Sequence, residues 1–137
     1  MKVCVLYASA SKESQKIKAI AKALAEGVSS LGHQVDVIDM NLDMGKKVSF
    51  YDYLILGTEA TSFWGGKIPS SVSQFLRSAG TISGIRCMGF ISKGGVRSMK
   101  SLQSLMKTME HEGLFLKKSE IVTKVDYARA VGKHLQI

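Results

Sequence analysis

The 137-residue sequence has a single proline, only two cysteines, and 7% aromatic residues. One proline and few polar tracts argue against disorder. Two cysteines, Cys4 and Cys87, are too few for a disulfide framework and lack the C-x-x-C spacing of metal or redox motifs. Both fall in apolar, strand-like segments, where a free cysteine behaves as a small buried hydrophobe. No apolar run approaches the roughly 18 residues a membrane helix needs, and Met1 to Ala10 lacks the features of a signal peptide. The expectation is a cytoplasmic protein without a membrane partner. A basic run interleaved with aromatics is also missing, which leaves nucleic acid without a motif to support it.

What the sequence has is an ordinary apolar fraction of 45%, a charged fraction of 22%, and a net charge of +8. A chain of this length buries roughly two-thirds of its unfolded surface, so one core and one domain over residues 1–137 are expected. The first fifty residues hold seven basic and five acidic side chains, and the remainder twelve and six. Most of the positive excess is therefore in the later part. Such a surface is either a solvated exterior or an attractor of anionic or acidic partners.

Short apolar runs alternate with helical periodicity, the pattern of βαβ units and a parallel sheet covered on both faces. Val3–Tyr7, Val35–Asp39, Tyr53–Gly57 and Cys87–Ile91 read as four strands. Either Leu114–Leu116 or Ile121–Val125 supplies a fifth. Three- and four-residue steps through Ile17, Ile20, Ala21, Leu24, Val28 and Leu31 predict a helix ended by Gly32. Pro69 is placed in the first turn of a second helix, with Val72, Phe75, Leu76 and Ala79 as its stripe and Gly80 as its stop. Met99, Leu102, Leu105, Met106 and Met109 form a third stripe before Gly113. Tyr127, Ala130, Val131 and Leu135 form the last. The polar connection through Asn41 and Gly45 gives no helical signal.

In open parallel sheets ligands bind beyond the carboxyl ends of the strands. Three segments there carry suitable chemistry: Ala8 to Ser14, Thr58 to Lys67, and Ser92 to Arg97. The first has hydroxyls at Ser9, Ser11 and Ser14 just before a helix. The first amides of that helix have no internal partner, and its dipole favours an anion. The same serines also suit an ordinary polar loop in which Ser14 caps the helix. His33, His111 and His134 fall near helix ends or on solvent faces and do not suggest a catalytic group.

The strand followed by Ser9-Ala10-Ser11-Lys12-Glu13-Ser14 resembles the phosphate loop of the flavodoxin family, whose usual form is [Ser/Thr]-x-Thr-Gly-x-[Thr/Ser]. Tyr51 to Thr58 followed by Trp64-Gly65-Gly66-Lys67-Ile68-Pro69 is similar to that family's third strand, flavin loop and next helix start. Gly89-Phe90-Ile91-Ser92-Lys93-Gly94-Gly95 is similar to the strand and loop on the other side of the flavin. The resemblance implies a three-layer α/β/α sandwich with a five-stranded parallel sheet in the order 2-1-3-4-5. It also implies an FMN cofactor and a role in electron transfer with a redox partner protein. The FMN phosphate would lie on Ser9, Ala10, Ser11, Lys12 and Ser14. The ring would lie between Thr58, Glu59, Phe63, Trp64 and Gly65 on one side and Ser92, Lys93, Gly94 and Gly95 on the other. Phe63 or Trp64 would stack on the ring, and the carbonyl of the Gly65-Gly66 segment would accept from the reduced flavin N5–H.

The sequence departs from that pattern in four respects. Lys12 stands where the family has glycine, and adds a cation suited to phosphate. Glu13 would repel phosphate unless it turns outward. Glu59 stands where many relatives carry proline. The basic composition reverses the acidic surface of electron-carrier flavodoxins and implies an acidic partner. Two further functions remain compatible with the residues: a binding domain that kept the fold and lost FMN, and a small FMN-dependent NAD(P)H reductase of quinone-like acceptors. No G-x-G-x-x-G marks a nicotinamide site.

Overall fold

In a computed structural model, which describes residues 1–10, 15–59, 67–92 and 98–137, five parallel strands form one sheet in the order β2-β1-β3-β4-β5. The strands are β1 (Lys2–Ala8), β2 (Gln34–Asp39), β3 (Tyr53–Thr58), β4 (Arg86–Ile91) and β5 (Phe115–Ile121). The helices are α1 (Lys16–Ser29), α2 (Ser71–Ser78), α3 (Ser98–His111) and α4 (Val125–Lys133). This is the expected fold class and strand order.

β1, β3 and β4 are near-continuous apolar runs because strands in the middle of such a sheet are covered on both sides. All six residues of β3 are buried. Alternate residues feed two cores. Val3, Val5, Tyr53, Ile55, Met88 and Phe90 pack beneath α1 and α4. Cys4, Leu6, Leu54, Leu56, Cys87 and Ile91 pack with Phe75 and Leu76 of α2 and Leu105 and Met109 of α3. Burial pushes the thiols of Cys4 and Cys87 each up to about 12, so both remain protonated hydrophobes, as expected.

Between β2 and β3 the chain forms turns and no helix. Met40, Val48 and Tyr51 of this segment supply the apolar cover that a helix would otherwise provide. The Tyr51 hydroxyl donates to Asp36 of β2 at 2.5 Å. On the opposite face α1 and α4 meet backbone to backbone. A Cβ added to Gly27 would lie 2.3 Å from the Arg129 carbonyl oxygen, and one added to Gly132 would lie 2.4 Å from that of Leu24. Only glycine permits this approach.

Four local expectations shift. β5 is Phe115–Ile121 and lies between the two alternatives offered by the sequence, because it is an edge strand whose Lys117, Lys118 and Glu120 reach solvent. Pro69 precedes the α2 N-cap, Ser70, instead of lying in the first turn. Leu31 and Met99 are exposed, the first beyond the end of α1 and the second near the start of α3. On α4 the Gly132 contact turns Ala128 and Val131 inward and leaves Tyr127 exposed, its hydroxyl donating to Glu120. The predicted stops hold: Gly32, Gly80 and Gly113 have φ of 91°, 96° and 87°, a region that side-chain-bearing residues rarely enter.

Candidate functional site

The strand register sets the geometry of the carboxyl edge. Ala8 of β1 pairs with Thr58 of β3, and Thr58 pairs with Ile91 of β4. The three strands therefore end level, and Ser9, Glu59 and Ser92 follow them at the same edge. Chain connections leave β1 and β3 toward opposite sides of the sheet, since β2 lies on one flank of β1 and β3 on the other. This is the position at which an open parallel sheet forms a ligand crevice.

Hydrogen bonds fasten the strand ends to one another. The Thr58 hydroxyl donates to the Ala8 carbonyl at 2.7 Å, and the Ser92 amide donates to the Thr58 carbonyl at 3.2 Å. Thr58 is fully buried, so its hydroxyl serves this link between β1 and β3. Beyond the link, the Ala10 amide donates to Glu59 Oε1 at 2.9 Å. Glu59 is only 7% exposed. Its carboxylate thus folds back onto the first loop and does not extend into solvent. A backbone amide paired with a carboxylate makes one of the stronger, charge-assisted hydrogen bonds.

Ser92, directly after β4, is fully buried, and its hydroxyl has no hydrogen-bond partner among the described residues. Buried hydroxyls are seldom left in this state, because the desolvation penalty is not recovered. Ser9 is half-buried, and its carbonyl accepts from Asn41 Nδ2 at 3.3 Å. Asn41 in turn is held by its own amide, which donates to Asp39 Oδ1 at 2.9 Å. Burial, with Asp39 beside it, raises the Tyr7 hydroxyl above the ordinary tyrosine value.

Of the fourteen residues the sequence points to, the structure places Ser9, Ala10, Thr58, Glu59 and Ser92 together at this edge. Ser11, Lys12, Ser14, Phe63, Trp64, Gly65, Lys93, Gly94 and Gly95 lie outside the described residues, as does Glu13. Asn41 is the residue the sequence reading passed over. Its signal is position: it follows β2 at the same edge of the sheet, one step beyond Met40, whose amide donates to the Tyr7 carbonyl at 2.8 Å. The described titratable groups around β1 and β2 at this edge, Asp39, Asp43 and Glu59, are acidic. The positive excess of the chain is not concentrated among them. Among the described residues no group of three His, Cys, Asp or Glu side chains could hold a metal ion, and no helix is long and apolar enough to cross a membrane.

No family model matches the sequence, and no curated protein matches it. Solved structures do match in shape. Oxidised flavodoxin 1 from Bacillus cereus superposes with a TM-score of 0.75 at 18% identity, covering 99% of this chain and all of that one. The two-electron reduced flavodoxin of Megasphaera elsdenii gives 0.70 at 17% identity, with 96% of each chain covered. A flavodoxin, WrbA-like protein from Agrobacterium tumefaciens gives 0.64 at 17% identity, covering 96% of this chain and 92% of its own. End-to-end likeness of this kind, together with the strand order β2-β1-β3-β4-β5, shows that this chain has the flavodoxin-like fold.

Proposed function

We propose that the protein binds FMN at the carboxyl edge of β1, β3 and β4 and acts in electron transfer. The observation that carries this reading is the level ending of the three strands, with the fully buried Ser92 hydroxyl lacking a partner among the described residues. In flavodoxins, which share this strand order, FMN sits at the β1/β3 switch point, and the similar solved structures include flavodoxins in both oxidised and two-electron reduced states.

The described residues fit such a group in two respects. The Ala10 amide already bonds a carboxylate oxygen, that of Glu59, and so lies where an anionic acceptor can sit, and the buried Ser92 hydroxyl lacks a partner that a polar ring atom would supply. Ser9, Ala10, Ser11, Lys12 and Ser14 would hold the phosphate. Thr58, Glu59, Phe63, Trp64 and Gly65, facing Ser92, Lys93, Gly94 and Gly95, would border the ring. Bound FMN supplies the electron-accepting and electron-donating chemistry, while the protein fixes its position, solvent access and potential. A net charge of +8 suits an acidic redox partner drawn by charge complementarity.

Purified protein titrated with FMN should quench the flavin fluorescence and shift its visible absorbance. A colourless protein that does neither overturns the reading. One observation favours a second function: Glu59 already holds the Ala10 amide, as it would in a domain that kept this fold and gave up the cofactor. FMN binding in the nanomolar range would exclude that alternative. An NAD(P)H oxidation assay with added FMN and a quinone separates a reductase from a passive carrier.

A further inference from the structure

We infer that Glu59 is an internal competitor for the phosphate: its carboxylate occupies the amide a phosphate would use, so FMN must displace it to bind. The inference rests on the FMN reading proposed above and concerns the selectivity of that same site. A carboxylate oxygen and a phosphate oxygen are alike in charge and hydrogen-bonding preference, and the single proton of the Ala10 amide serves one of them at full strength.

Three features make the contact a built one. Glu59 immediately follows Thr58, and Thr58 is locked to Ala8 both by sheet pairing and by its hydroxyl. The register therefore brings the residue after β3 beside the loop after β1. Glu59 is 7% exposed, so the carboxylate has given up most of its contact with water and takes the 2.9 Å bond to Ala10 in exchange. The loop that receives it is further held by Asn41 Nδ2, which donates to the Ser9 carbonyl and keeps the Ser9–Ala10 segment close to β2. An anion entering this corner meets an amide already engaged and a like charge beside it.

The consequence is a bias against the phosphate end of the flavin and not against its ring. Riboflavin has the same ring system and no phosphate, so it reports the ring contacts alone. Glu59→Gln keeps the size of the side chain and an acceptor for the Ala10 amide while removing the charge; Glu59→Ala removes both. Wild-type protein and the two variants, each checked for its fold by far-UV circular dichroism, should be titrated with FMN and with riboflavin. The ratio of FMN to riboflavin affinity should rise at least about tenfold in Glu59→Gln, as expected when a like charge is removed from a binding site. The same ratio in wild type and both variants, or a lower one in the variants, overturns the inference and leaves FMN binding standing. If neither flavin binds any of the three proteins, the FMN reading fails. The Ala10 amide resonance, followed as inorganic phosphate is added, then decides the inference: movement in Glu59→Ala but not in wild type supports it, and movement in neither overturns it.

Discussion

On the α1/α4 side of the sheet, backbone meets backbone at Gly27 and Gly132, with no side chain between the helices at that point. On the α2/α3 side, Phe75, Leu105 and Met109 fill the space above the strands, and the helix-free segment from Met40 to Tyr51 covers the flank at β2. Both sides exclude water equally well: Ile17, Leu24 and Val28 on the first and Phe75, Leu105 and Met109 on the second are all fully buried. They should differ in tolerance. A contact between backbones can yield only by moving whole helices, whereas side chains can repack.

Thiol chemistry gives the largest contrast, since Cys4 and Cys87 share the core on the α2/α3 side, with Tyr51 of the loop segment beside the first and Glu110 of α3 near the second. In native protein near pH 8 both should react with a thiol reagent at least about a hundredfold more slowly than in denaturant, because only the thiolate is nucleophilic and burial suppresses it. If the loop covers its flank less firmly than a helix would, Cys4 will label before Cys87 as denaturant is raised. Simultaneous labelling would show that the two covers open as one unit. The pH dependence follows from the same burial. Each thiol has its ordinary value of 9.0 raised to about 12. The stability this contributes is complete below about pH 9, where thiols in the unfolded chain also keep their protons, and is lost as pH rises toward 12. A denaturation midpoint that held steady above pH 9 would contradict it.

Substitutions test the comparison directly. Phe75→Ala opens a cavity in a filled core and should cost about 3–5 kcal/mol in urea unfolding. Gly132→Ala adds a single methyl group and should still cost about 1–3 kcal/mol, because its nearest neighbour is the Leu24 carbonyl and not a movable side chain. If that variant proves neutral, the helix crossing is looser than the geometry states. Tyr51→Phe removes the hydrogen bond to Asp36 and should cost about 1 kcal/mol, measuring what the loop gains from its polar anchor. The smallest effect belongs to Arg129→Ala. Its ion pairs with Glu26 and Asp126 flank the glycine contact but are solvent-exposed, so the loss should stay below about 1 kcal/mol.

The same contrast explains how much was legible in the sequence. β1, β3 and β4 announce themselves because strands buried on both faces need unbroken apolar residues. β5 does not, because Phe115-Leu116-Lys117-Lys118-Ser119-Glu120-Ile121 is an edge strand whose charged middle hides the apolar residues near its two ends. Helix periodicity located α4 but assigned Tyr127 to its buried face. The face is set by Gly132, and a glycine carries no hydropathy signal of its own. At the candidate site, strand positions and loop chemistry brought Ser9, Ala10, Thr58, Glu59 and Ser92 to one edge. The sequence could not foresee that Glu59 turns back onto the Ala10 amide or that Asn41 braces Ser9, since both contacts depend on how neighbouring loops meet across the sheet.

The glycine crossing also bears on how the molecule is assembled. It joins α1, which follows the first strand, to α4, which follows the fifth, so the cover that α1 gives this face of the sheet is completed only when α4 arrives. During synthesis α1 must wait for α4 before this core is complete, and contacts of such long sequence separation are slow to form. Folding of this protein should therefore finish with a docking step at Gly27, and a nascent chain halted before Val125 would carry one finished side and one side covered by α1 alone, which chaperones could bind.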